Sequence, residues 1–205
     1  MHTGYNKEEL AMDKLTREDL YSLEEYSAMR AEFRAKMIAH KKNRVLRLGE
    51  HATLHFEDRL LMQYQIQEML RAEKIFEADG IQEEIDAYNP LIPDGTNWKA
   101  TFMLEYDDEG IRRQRLSELI GIEKTVWVCV DGFDKVYPIC NEDLERETED
   151  KTSSVHFMRF ELSDAMCSAL KDGAALGAGI EHEKYAVTIN ALSEGMRNSL
   201  TADLD

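Results

Sequence analysis

The sequence predicts an α+β fold, a mainly antiparallel sheet with several packed amphipathic helices. Three observations point there. Apolar residues recur at helical spacing in the first third of the chain and alternate with period two through much of the second half. Nowhere do they settle into the sustained alternation of strand and crossover helix that marks a parallel α/β protein. The 205 residues, 43% hydrophobic and 32% charged, suit one globular domain.

Met1 to Tyr21 is polar with scattered leucines and is expected to form a loosely ordered N-terminal extension, with a short helix near Thr16 to Leu23. Residues 22–205 then form a single domain. Tyr26, Met29, Phe33, Met37 and His40 step by three and four, the stripe of an amphipathic helix that ends in basic residues favourable to its dipole. From Val45 to Glu57 the period switches to two, giving two short strands joined at Gly49. Ala52, Leu54 and Phe56 share one face, and His51, Thr53, His55 and Glu57 the other.

Asp58 to Phe76 is proline-free and rich in good helix formers, with Met62, Ile66, Met69 and Phe76 as its expected buried stripe. A shorter acidic helix over Ile81 to Ala87 precedes a turn at Pro93-Asp94-Gly95. Trp98 to Tyr106 alternates as a strand, Gly110 to Leu119 is a basic helix, and Lys124 to Val130 and Val155 to Leu162 are strands. Ser163 caps a helix that runs to Lys171, with Gly173 just past its end. Ala174 to Gly179 is expected to be a small, flexible run, Tyr185 to Ile189 a last strand and Ala191 to Leu200 a last helix.

The net charge of −16 repels polyphosphate and argues against nucleic acid as a partner. Apolar runs such as Val126 to Val130 are far shorter than the roughly 18 residues that span a bilayer, so no membrane span is expected. The first ten residues lack the apolar core of a secretory signal, which predicts a cytoplasmic protein. Cys129, Cys140 and Cys167 are odd in number without Cys-x-x-Cys spacing and are expected to be reduced thiols. Charge is unevenly spread. Between Arg30 and Arg47 seven basic side chains face only Glu32, a local +6 that leaves −22 on the remainder. Such a stripe is ordinarily a solvated face; as a functional feature, Arg30, Arg34, Lys41 and Lys42 would dock an acidic protein partner or a second copy of the chain.

Phosphate loops, nucleophile elbows, His-Glu-x-x-His and dinucleotide fingerprints are all missing, as is the Glu-x-x-His pair of di-iron bundles. The sharpest metal candidates are His51, His55 and Glu57 on one strand face, suited to non-haem iron or another divalent metal. On a strand, residues four apart lie roughly 13 Å from each other while a metal ligand sits about 2.1 Å from its ion, so His55 with Glu57 is the better pair. A third donor is then needed, for which Glu68, Glu105 and His51 are available. Glu68 also has Arg71 three residues on, the spacing of a structural ion pair. His156 is in phase with Met158, Phe160 and Leu162 and reads as a core histidine.

Four stretches carry a resemblance: Leu48 to His51 through Phe56 to Arg59; Tyr64 to Arg71 through Ile81 to Glu84; Asp86 to Gly95; and Lys151 to Leu162. From about Tyr26 to the C-terminus the chain resembles the bacterial domain-of-unknown-function family 3501. The resemblance implies no catalytic residues. Genes of that family are often found beside those for rubrerythrin and an iron-sulfur oxidoreductase, so the resemblance implies a redox or peroxide-stress setting. Two readings follow: an accessory or binding protein that works through protein contacts, and a small metal-binding protein or oxidoreductase centred on His55 and Glu57.

Overall fold

The computed structural model describes residues 14–142 and 150–205. Among these residues, six α-helices and eight strands make an α+β fold: α1 (Leu23–Lys41), β1 (Val45–Leu48), β2 (Ala52–Phe56), α2 (Arg59–Glu73), α3 (Ala78–Tyr88), β3 (Asn97–Leu104), α4 (Glu109–Glu118), β4 (Val126–Val130), β5 (Ile139–Cys140), β6 (Val155–Glu161), α5 (Asp164–Lys171), β7 (Leu176–His182), β8 (Tyr185–Ile189) and α6 (Glu194–Thr201). Every strand pairing within the two sheets is antiparallel. One sheet has the order β1-β2-β3-β6-β5 and the other β4-β7-β8.

Alternation decides what each sheet buries. Leu54, Phe56, Phe102, Met158 and Phe160 face inward from the first sheet, and Val126, Val128, Leu176, Ala178 and Ile180 meet them from the second. Leu116 of α4, Cys167 and Leu170 of α5 and Met196 and Leu200 of α6 complete this core. The Trp98 indole donates to the Leu200 carbonyl at 2.8 Å, satisfying a ring buried in the middle of it. A second core lies among α1, α2 and α3, where Tyr26, Phe33, Met37, Ile66, Leu70 and Ile85 interdigitate. Phe33 there sits edge-on to both Tyr26 and Tyr64.

The β1–β2 hairpin turns at Gly49, whose φ of 81° favours glycine. Tyr185 of β8 clasps the turn from the other sheet, donating to the Leu48 carbonyl at 2.7 Å while accepting from the His51 amide at 3.0 Å. A Cβ at Gly49 would lie 2.7 Å from that tyrosine oxygen.

Three expectations need correction. Residues 14–21 are docked, not loosely held: Leu15 is buried, exchanges two hydrogen bonds with the Asn89 amide, and Tyr21 donates its amide to Gln67. The remainder of the expected extension, residues 1–13, lies outside the described residues. Phe76 is 69% exposed, because Lys74 takes up a left-handed C-cap and ends α2 before Phe76 is reached. Ala174 to Gly179 is no flexible run, since Leu176 begins the central strand of the second sheet. A Cβ at Gly179 would sit 2.4 Å from both the Trp127 ring and the Val187 carbonyl, so glycine is what lets the indole lie across this strand. The three cysteines are free thiols. Among the described residues, no helix is long and apolar enough to cross a membrane.

Both ends of the described chain return to one loop. Lys14 binds the Ile92 carbonyl and Asp94, while the Asp205 amide donates to Gly95 and Leu204 bridges to it.

Candidate functional site

The outward face of β2 carries the metal candidates, and the helical layer crosses it. His55 and Glu57 point to the same side, as alternation requires, while Leu54 and Phe56 enter the core. They do not face open solvent. Together with Thr101 and Met103 of β3 they line a chamber of about 250 Å³ closed by Leu61, Met62 and Gln65 of α2 and by Tyr88 of α3. Burial lowers the His55 pKa, favouring neutral imidazole, and raises that of the Glu57 carboxyl against the opposing hydrogen bond from Thr101 at 2.7 Å.

The proposed third donors are held elsewhere. His51 stacks on Tyr106 with ring centroids 4.3 Å apart, and its Nδ1 lies 3.0 Å from the Glu105 carbonyl at the far end of the strand. Glu105 reaches His55 only through Thr53, whose hydroxyl donates to Glu105 at 3.1 Å and lies 3.2 Å from His55 Nε2. Glu68 faces α1. Arg30 forks onto both its carboxylate oxygens at 2.7 Å and the Tyr26 hydroxyl donates at 2.6 Å. The fork from Arg30, followed by the Tyr26 bond, holds the Glu68 pKa at about 2 despite desolvation. Arg71, the partner that spacing favours, adds only a weak field. Among the described residues, no three His, Cys, Asp or Glu side chains form a group that would hold a metal ion.

The basic segment divides in two. Arg30 is committed to Glu68, and Arg44 turns inward, 1% exposed, to pair with Asp203 at 2.6 Å and to donate to the backbone carbonyls of Phe56 and Glu57. Asp58, the N-cap of α2, lies 3.4 Å from Arg44 and 2.5 Å from His40 Nε2. Burial alone would raise the Asp58 pKa, yet the bond from His40 and the charge of Arg44 keep it low. At Asp203 burial wins over Arg44 and its pKa rises to about 6. No local pattern announces this network, since Arg44 and Asp203 lie 159 positions apart.

Arg34 and Lys41 of α1 and its C-cap Lys42 remain exposed, with Lys41 also 6.0 Å from the Tyr64 ring centroid. They stand four residues before, three after and four after Ile38, and helical spacing therefore makes them its neighbours. Ile38 itself is 56% exposed.

The family described as "Protein of unknown function (DUF3501)" matches residues 14–204. The chain belongs to this family. A crystal structure of a protein of unknown function from Burkholderia pseudomallei K96243 is similar to the DUF3501 chain at 50% identity and a TM-score of 0.89. It covers 94% of this chain and 100% of its own. No curated protein matches the sequence. The DUF3501 resemblance seen at the hairpin and at Asp86 to Gly95 thus extends upstream through the docked segment that begins at Lys14.

Proposed function

We propose that this DUF3501 protein is an accessory binding protein that docks an acidic partner through the outer face of α1. The observation that carries the reading is Ile38, an exposed apolar side chain ringed by Arg34, Lys41 and Lys42. An apolar anchor within a rim of like charge gives a partner both affinity and orientation. Ala31, Ala35 and Ala39 are exposed beside it, and small side chains let a partner helix approach closely. On a chain of net charge −16 this is a local reversal of sign, so it selects acidic surfaces, a second copy's included. The redox or peroxide-stress setting proposed with it rests on the family resemblance alone, and the cytoplasmic location on the composition of the first ten residues. His55 and Glu57 serve in this reading as chamber walls.

Pull-down at low salt with mass spectrometry of the retained protein, alongside sedimentation velocity for self-association, tests it. Ile38→Glu and the triple glutamine variant of Arg34, Lys41 and Lys42 are expected to lose the partner, and rising salt to weaken it. Arg30→Gln is expected to leave retention intact. Equal retention by the parent and the triple variant would refute the docking role.

A further inference from the structure

The chamber beneath the helical layer is the inner half of a larger cleft. Its outer compartment, about 710 Å³, shares Tyr88, Leu91 and Phe157 with the inner one and continues between Pro90 on the helical side and Ile139 and Met158 on the sheet. That volume falls in the range of roughly 300–1,000 Å³ typical of small-molecule sites. The two cations on its rim already have partners: Lys99 binds Asp94 at 2.7 Å and Arg159 forks onto Glu142 at 2.8 Å. Hydrogen-bonding capacity lies deeper. Glu57 Oε1 accepts from Thr101, but among the described residues no hydrogen bond engages Glu57 Oε2, the Gln65 amide or the Tyr88 hydroxyl.

We infer that this cleft binds an uncharged amphiphile, its apolar body between Leu91, Phe157 and Ile139 and a single hydroxyl or carbonyl head against Gln65, Tyr88 and Glu57. The choice of head follows from what each charge would meet. An anionic head would face the Glu57 carboxylate, and a cationic one Lys41 and the buried Arg44 on the same wall. Either would lose its hydration in a largely apolar recess. A neutral oxygen accepts from the Gln65 amide or the Tyr88 hydroxyl without that loss. Glu57, whose Oε1 already accepts from Thr101, accepts in turn from a hydroxyl head through its other oxygen. The cleft shares Lys41 with the rim of the α1 docking face, but the inference does not rest on that face.

Titration of the full chain with N-phenyl-1-naphthylamine, an uncharged fluorescent probe, followed by displacement with 1-decanol, decanoate or decylammonium tests the inference. Saturable fluorescence is expected, with decanol displacing the probe at least about tenfold more effectively than either ion. Ala87 is exposed on the cleft wall, so Ala87→Trp adds bulk to the mouth without entering a core. It is expected to weaken probe binding at least about fivefold at an unchanged melting temperature. Gln65→Leu is expected to keep the probe while reducing decanol affinity about fivefold. Absence of saturable binding, equal displacement by the ions, or parental probe affinity in a folded Ala87→Trp variant would overturn it.

Discussion

Glu68 shows how a single side chain ties two helices together. Its folded pKa of about 2 lies below the roughly 4.3 of an unfolded glutamate. A lowered carboxylate pKa adds stability that is complete above the unfolded value and is lost as pH falls through the folded one. Glu68→Gln is therefore expected to lower stability at pH 7 by roughly 1–2 kcal/mol, from the weakened bonds to Arg30 and Tyr26. The difference from the parent should shrink between pH 4.5 and 2, as urea unfolding across that range will register. Gly179 offers a steric counterpart. A methyl group there collides with the Trp127 ring and the Val187 carbonyl, so Gly179→Ala is expected to cost about 2 kcal/mol or more by the same measurement. Gly173 has φ of 97° and open space around it, which makes its demand one of backbone conformation alone.

At the scale of elements, helix starts differ in how much rests on the cap. The Ser163 hydroxyl accepts from the Met166 amide of α5, and Ser163→Ala is expected to cost about 1 kcal/mol. Asp58 caps α2 through Leu61 and also balances Arg44 and His40, so Asp58→Ala is expected to cost about 3 kcal/mol or more. Chemical denaturation of the two variants side by side measures the difference. The Ser163 cap and the strand faces of β2, β3 and β6 were legible because their signals are local: a serine before an apolar period, or strict alternation; Asp58, read as the first residue of its helix, turned out to be the cap. The strand β7 was harder to see. Its inward residues Leu176, Ala178 and Ile180 do alternate, but with Gly177 and Gly179 between them, and glycine at the outward positions resembles a loop until Trp127 is known to cover it. The site was half legible for a similar reason. Alternation places His55 and Glu57 together, but only the path of α2 and α3 decides that their face is roofed and that Glu68 turns away from it.

The whole molecule is a β-sandwich with one core and a helical layer with another, and the cleft lies between them. Buried Arg44 spans the two, holding the start of β1 and the cap of α2 to the C-terminal Asp203. Long-range pairs of this kind cannot be read from sequence periods, and neither can the division of the antiparallel strands between two sheets. The charged surface has a related logic: cations that serve the fold, Arg30 and Arg44, are turned inward, and those left on α1 are available to a partner. One loop, Asn89 to Gly95, receives residues 14 and 15 on one side and residues 204 and 205 on the other. Circular permutation should therefore be tolerated. Joining residue 205 to residue 14 through a short glycine-serine linker, and opening the chain at the exposed Gly132 turn, is expected to give a protein that melts within roughly 5 °C of the 14–205 parent.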